Sequence, residues 1–386
     1  MKHSCPLLVM MACAIVLSLA SCKGRTAEAS DSSAGGALWI PSIGLVFDIG
    51  TRSDASFNNS AYEGLVMLAR DLGGHIRDDP DVDFGQRLDI RVLESKHAGA
   101  DREQLLRSLA EDGCDLVFAV GFLFADSISS VSRDYPDTHF ALIDGTVPDL
   151  NARSSITCVG FAEHEGSFLV GAYAGLIASS AGPDARIGFI GGMDTPLIRR
   201  FLSGYSAGAA LTNPSLRSSS RIVSAFVARD ASGFDDVKRA GELASVLFQA
   251  KSAVIYHASG ASGRGVMEAA ARLGRKVIGV DSDQAAVFAA SGDQATALLS
   301  KVIVTSMLKR VDRAVYSIGQ ELVSGIPVAG GYRTFGLAEG GVGYVAEGLP
   351  PDAVTVLSDL ARKVTSGEIA VPADDQALAE FISTLR

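Results

Sequence analysis

Residues 43–49, IGLVFDI, are almost continuously apolar, and Gly50 stops them. A short run of that kind is a strand buried on both faces, the situation of a parallel sheet covered by helices. A polar loop follows, and Ser56 opens an amphipathic run over 61–72. Strand, loop and helix N-terminus in that order put the loop at the C-terminal edge of a parallel sheet, where α/β proteins hold ligands. The unit recurs: strands are expected at 88–93, 115–121, 139–145, 154–161, 186–192, 223–227, 252–257 and 276–280, with helices between them. Alternation of this kind predicts an α/β fold of doubly wound parallel sheets. A chain of 386 residues is too long for one core, so two such lobes are expected, the second starting where the rhythm restarts at residue 154.

The strand ends supply the candidate site. Asp48 closes the first strand, with Phe57 and Asn58 at the mouth of the following helix. An acceptor, an aromatic face and a carboxamide suit a flat heteroaromatic ligand. The alternative roles are a hydrophobic staple for Phe57 and an N-cap for Asn58. Asp126 follows the third strand and either faces the same crevice or caps the next helix. Ser259-Gly260-Ala-Ser-Gly263-Arg-Gly265 lacks both the dinucleotide and the Walker order, so Gly260 is read as letting a neutral ligand approach the backbone. Asp281, at another strand end, is suited to accept two hydrogen bonds from a cis-diol, while Asp283 fits a capping role better. Gly204-Tyr-Ser206-Ala-Gly208 matches a nucleophile elbow, but the residues before it carry helical periodicity where an elbow needs a strand. A formal net charge of −10 argues against nucleic acid or phosphates as the main partner. Six scattered histidines make no ligand cluster, so no metal or other cofactor is expected.

Lys2 and His3 precede an apolar run over 6–20 that ends in Leu19-Ala20-Ser21-Cys22, which reads as a secretory signal peptide over 1–21. Residues 22–40 are small, polar and rich in glycine, serine and alanine, the composition of a flexible tether. Cys114 and Cys158 flank apolar runs and are read as buried free thiols, a disulfide between them not being deducible from sequence.

The string Asp48-Ile-Gly…Asp54-Ala-Ser56-Phe57-Asn58…Gly64 resembles the first signature of the basic membrane protein family, lipoproteins similar to the ribose-binding, type I kind of periplasmic receptor. Gly-Phe-Leu-Phe-Ala-Asp126 resembles a second signature, and further likenesses lie in Glu163-His-Glu-Gly-Ser-Phe168, Gly188-Phe-Ile-Gly-Gly-Met-Asp194 and Gly-Val-Asp281-Ser-Asp283-Gln284. The resemblance covers roughly 43–345. It implies a two-lobed, hinged receptor that binds a purine nucleoside (inosine, adenosine or guanosine) and passes it to an ABC transporter permease. The residue-level implications are that Asp126 meets the base and Asp281 the ribose. Tyr256, standing where the family has phenylalanine, would be a second stacking ring opposite Phe57. Lys309, in a Thr305-Ser-Met-Leu-Lys309 string, would reach the ribose; a solvated helix lysine is the competing reading, and Lys301 a second candidate. The ending before Cys22 resembles a lipobox, which implies lipidation of Cys22 and a cell-membrane anchor on the periplasmic or extracellular side; an ordinary signal cleaved nearby is the alternative. By analogy the chain crosses between lobes near 153, 284 and 327, giving lobes 41–153 plus 285–326 and 154–284 plus 327–386. Other readings are a sugar or signalling ligand on the same scaffold, or a nucleoside hydrolase.

Overall fold

The buried run at the start does form a strand, and each following unit lays another beside it. The computed structural model describes residues 39–48, 52, 54–96 and 99–385. The signal peptide, Cys22 and nearly all of the expected tether lie outside the described residues, and the chain from Ile40 onward makes one unit. In chain order β1 (Ser42–Phe47) leads into α1 (Phe57–Leu72), which Gly73 ends in the left-handed region at φ 72°. Next come β2 (His75–Ile76) and β3 (Asp79–Asp83), an antiparallel edge hairpin, then β4 (Asp89–Glu94), α2 (Arg102–Glu111), β5 (Leu116–Val120), α3 (Ala125–Asp134), β6 (His139–Ile143) and β7 (Ile156–Phe161). β1 lies centrally, with Leu45 opposite Val92 of β4 on one side and Phe118 of β5 on the other. Side chains on the two faces of this sheet fill two separate cores, one under α1 and the other under α2 and α3.

The second sheet begins after α4 (Glu163–Ala181) with β8 (Arg186–Met193), α5 (Pro196–Thr212), β9 (Ile222–Ala228), α6 (Val237–Gln249), β10 (Ser252–Ala258), α7 (Gly263–Leu273), β11 (Lys276–Asp281), α8 (Gln284–Ala289), α9 (Gln294–Leu299) and β12 (Ile303–Lys309). The chain then returns: α10 (Val311–Val323) packs on α1, and β13 (Gly331–Phe335) pairs parallel with β7. It crosses once more to β14 (Val342–Tyr344), antiparallel to β12, and ends in α11 (Pro351–Thr365) and α12 (Asp375–Thr384). The sheets are ordered β13-β7-β6-β5-β1-β4-β2-β3 and β14-β12-β11-β10-β8-β9. All other strand pairs are parallel, so two mainly parallel α/β lobes result, as the alternation predicts.

The chain therefore passes between sheets at residue 162, at residue 310 and within 336–341, not near 153, 284 and 327. The difference has one cause. β7 carries the same fully buried pattern as any central strand, and nothing in that pattern says which sheet it joins. It pairs with β6, so the first lobe keeps it, and β12 with its preceding helices stays in the second. Cys114 and Cys158 are buried free thiols.

α4 is apolar on nearly every side because it is enclosed: Val170, Ala174 and Ala178 face the second sheet, while Phe168, Leu169 and Ala172 face α11 and the end of the chain. Its axis lies unusually close to α5. A β-carbon on Gly208 would stand 1.9 Å from the carbonyl oxygen of Phe168, and one on Gly171 would stand 2.1 Å from that of Tyr205. This is the role of the Gly204–Gly208 string. It lies inside α5 with Ser206 buried, so the elbow reading has no structural support. Gly208→Ala must push two helix backbones apart, and we expect a loss of about 1–3 kcal/mol in the unfolding free energy by urea titration.

Candidate ligand-binding site

Parallel strands of both lobes point their C-terminal ends at one another, and the loops after them enclose about 820 Å³ of atom-free space, part of it open to solvent. From the first lobe come Asp48, Asp54, Phe57 and Asn58 beyond β1, residues 121–123 beyond β5, and Asp144 beyond β6. From the second come Phe201 with its neighbours on α5, Phe234, Gly260 beyond β10, Asp281 and Lys309. The lining is mainly apolar with a few converging polar groups, the usual make-up of a small-molecule site.

Of the residues expected from sequence, Asp48, Phe57, Asn58, Gly260, Asp281 and Lys309 are brought together here, and two are not. Tyr256 is wholly buried inside β10, its ring 5.2 Å from Tyr205 and 5.6 Å from Phe189, with its hydroxyl 3.1 Å from Ser167 Oγ. Two residues before the end of the strand, it belongs to the core under the sheet and cannot be a stacking ring. Asp126 is exposed on the first turn of α3, where it faces the positive end of the helix and does not line the cavity. The rings of the second lobe that do reach the space are Phe201 and Phe234, with Phe122 from the first. No local pattern marks these, because their exposure to the cavity is created by the facing lobe. Asp54 and Asp144 are also additions, and Asp144 did carry a signal: like Asp48 and Asp281 it closes an apolar strand.

The helix cap next to the site is made by Asp54, not Asn58. Asp54 accepts backbone N–H bonds from Ser56 (2.9 Å), Asn58 (2.9 Å) and Asn59 (3.0 Å). Burial still pushes its carboxyl up to about 6, against the pull of those three donors. Asp48 is paired with Arg102 at 2.7 Å. Asp283 caps α8 through the Ala286 N–H at 3.1 Å, which leaves Asp281 for the cavity, as expected.

Lys309 ends β12 and is 2% exposed, so it is not a solvated helix lysine. Its ammonium donates to Asp144 of the other lobe, lies 3.2 Å from Glu163, and sits 5.1 Å from the Phe57 and Phe161 ring centres and 5.5 Å from that of Phe201. Burial disfavours its charged form, but Asp144, Glu163 and Asp281 outweigh this and hold its pKa above the ordinary lysine value. Burial raises Asp144 to about 6, with Lys309 opposing, and raises Asp281 in the same way. Further bonds join the lobes: Ser56 Oγ donates to Asp281 Oδ2 (2.5 Å), while Ser282 Oγ (2.8 Å) and Gln284 Nε2 (3.2 Å) donate to the Ala55 carbonyl.

A family model described as ABC transporter substrate-binding protein, PnrA-like, matches residues 41–375. The chain belongs to this family. Among PnrA-like and related proteins it is 30% identical to a CD4+ T-cell-stimulating antigen of Listeria monocytogenes over 86% of this chain and 87% of that one. It is 27% identical to basic membrane protein A1 of Borrelia garinii subsp. bavariensis over 97% and 98%. An ABC transporter solute-binding protein from Aeropyrum pernix superposes with a TM-score of 0.71 at 28% identity, covering 89% of this chain and 97% of that one. As a PnrA-like substrate-binding protein, the chain has a transporter as its partner and a membrane-associated place outside the cytoplasm. Among the described residues no helix is long and apolar enough to cross a membrane.

Lys309→Met strands the acids that the ammonium neutralises. We expect a loss of about 3–5 kcal/mol at pH 8 by chemical denaturation. Burial lifts the Asp144 carboxyl from the ordinary aspartate range to about 6 in the folded state, so the folded protein holds that proton more tightly. The stabilisation from this proton is complete below about 4 and is lost as pH rises through about 6. The deficit of Lys309→Met should accordingly be smaller at pH 5 than at pH 8.

Proposed function

We propose that this PnrA-like protein is a lipid-anchored receptor that takes a purine nucleoside into the interlobe cavity and delivers it to an ABC permease. The observation that carries the reading is that aromatic rings of both lobes line one cavity, Phe57 from the first and Phe201 and Phe234 from the second, together with Asp281 and Lys309. Rings from two lobes can hold a flat base between them, and stacking is worth about 1–3 kcal/mol per base. Carboxylates at one end accept hydroxyl donors, which suits a ribose. The same acids, with Lys309 the one cation among the described lining residues, disfavour a nucleotide phosphate. Two stacks and the sugar contacts together approach the ~8 kcal/mol that micromolar affinity requires. The lobes close over the ligand and the closed form is what a permease recognises, so no residue has to perform a chemical step.

Calorimetric titration of the protein from residue 23 onward with inosine, guanosine and adenosine tests this. At least one should bind at micromolar or better. Phe57→Ala and Phe234→Ala should each weaken binding about 10- to 100-fold, by the stacking energies above. Tyr256→Phe, which keeps the core ring, should change affinity less than about twofold, within the scatter of a conservative core change. Absence of binding by all three nucleosides would refute the ligand assignment.

The anchor is tested separately. Cells expressing the full chain and fed labelled palmitate should label the protein, and Cys22→Ser should abolish the label, since acylation at that thiol is the only lipid route this reading allows. Label persisting on Cys22→Ser would rule the anchor out.

A further inference from the structure

Asp48, which follows β1, lines the cavity and is 6% exposed. A cation stands behind it. Arg102 Nε (2.8 Å) and Nη2 (2.7 Å) both reach Oδ1 of that carboxylate, whereas Oδ2 is turned toward Gly121 of the cavity wall, 3.9 Å from where a β-carbon on that glycine would stand. One oxygen is thus held from outside the cavity and the other is directed at its lining. The described residues that line the space include Asp48 and not Arg102.

Arg102 is an unexpected residue for its place in the chain. It is the first residue of α2, where open N–H groups and the helix dipole favour an acid over a cation. It is also closely packed. The Arg102 N–H donates to the Gly99 carbonyl at 3.3 Å, and Gly99, at φ 84°, leaves the room that the guanidinium fills, since a β-carbon there would stand 2.0 Å from Arg102 Cζ. The preceding Asp101 accepts from Ser95 Oγ (2.5 Å) and from the Lys96 N–H (3.1 Å), which ties the start of α2 to the end of β4. A cation that opposes its own helix and is seated this firmly is accounted for by Asp48. The pair also lies within one lobe. Asp144 and Asp281 take their bonds from donors of the facing lobe, Lys309 and Ser56, so those bonds depend on the lobes meeting and the Arg102–Asp48 pair does not.

We propose that Arg102 is a positioning residue of the ligand site: it holds Asp48 ionised and fixed through Oδ1, so that the carboxylate is set to accept a donor of the ligand before the lobes close. The probe used to test this rests on the nucleoside reading. Without the guanidinium, a buried carboxylate takes up a proton more readily, and a protonated carboxyl offers a donor where an acceptor is needed. The other acids near Asp48 are Asp54 and Asp144 on the same wall and Glu94 beside Phe47 on β4. They are the same in parent and variant, so the ratio of the two affinities isolates Asp48.

The experiment titrates inosine, guanosine and adenosine into the parent protein, Arg102→Met and Arg102→Lys at pH 8 and pH 5.5, with thermal melts run alongside. For the tightest of the three ligands Arg102→Met should bind at least about tenfold more weakly at pH 8, the worth of a hydrogen bond to a charged group. The ratio of parent to variant affinity should widen by at least about threefold more at pH 5.5, as Asp48 takes up its proton. Arg102→Lys restores the charge with a point donor in place of the fork, and should bind within about fivefold of the parent at both pH values. A smaller Arg102→Met defect overturns the proposal and leaves the nucleoside reading intact. An Arg102→Met defect of equal size at the two pH values, or one that lysine does not restore, would make Arg102 a brace for the start of α2 and overturn it as well. If Arg102→Met does not fold, Arg102→Gln takes its place with the same expected ratios. A parent that binds none of the three ends both readings.

Discussion

The Lys309 ammonium is the group around which the two lobes are arranged. Taking it out of water is costly, and it is tolerated because carboxylates surround it. Their positions along the chain matter as much as their charge. Lys309 immediately precedes the crossing at residue 310, and Glu163 immediately follows the crossing at residue 162. At that junction the Arg310 N–H donates to the Gly341 carbonyl at 2.8 Å, which ties in the third crossing. Asp144, the remaining acid, belongs to the cavity wall. A single network thus runs from the segments that cross between the lobes to the wall of the cavity, through Lys309, Glu163 and Asp144.

On the other side of the cavity the lobes meet through the start of α1. Ala55 has φ 53°, and its carbonyl receives Ser282 and Gln284 of the second lobe. Asp54 holds the adjoining N–H groups, so the turn that offers this carbonyl is tied to the helix cap. Gln284 is itself fixed, its Oε1 bonded to the Val280 N–H at 3.0 Å and to His257 Nε2 at 3.0 Å. Buried polar groups with this many partners hold one arrangement of the lobes, which is how a cleft with weak individual contacts keeps a defined shape. Phe57 and Asn58 are the first residues of α1, so the ring and amide that line the cavity are set by the same turn that docks the lobes.

How much of this was legible in the chain depends on the range of the interaction involved. β1, β5, β6, β8 and β11 were readable because burial on both faces leaves a local, continuous apolar signal. Asp48 and Asp281 were readable because a polar residue that ends such a run lies at the sheet edge. Asp144 obeys the same rule, closing the apolar run 139–143. Tyr256 shows the limit of a family likeness: a ring can fill the place of another ring in sequence and still lie under the sheet, since Ile255, Tyr256 and His257 are all buried and β10 reaches the cavity only at Ala258, its last residue. Phe201 and Phe234 had no signal because a helix face and a short loop become cavity wall only through the opposing lobe. The crossings were misplaced for the same reason, sheet membership being a property of pairing partners far along the chain. Lys309 was ambiguous until β12 placed it beneath the rings of Phe57, Phe161 and Phe201.

The repeated use of aspartate at the strand ends follows from backbone geometry. A chain that leaves a buried parallel strand and must turn at once can do so through the left-handed region, which most side chains resist by about 1–2 kcal/mol. Glycine would take that turn with less strain but would bring no chemistry. Aspartate tolerates it, being short and able to hydrogen-bond locally, and places a carboxylate at the edge of the sheet instead of in the pleat above or below it. In this protein Asp144 and Asp281 do this in opposite lobes, whereas Gly121 after β5, at φ 119° and ψ 144°, takes a backbone that glycine alone adopts readily, and Phe122 and Leu123 supply the wall there. The rim is accordingly polar where Asp144 and Asp281 close their strands and apolar beside Gly121, where Phe122 and Leu123 follow.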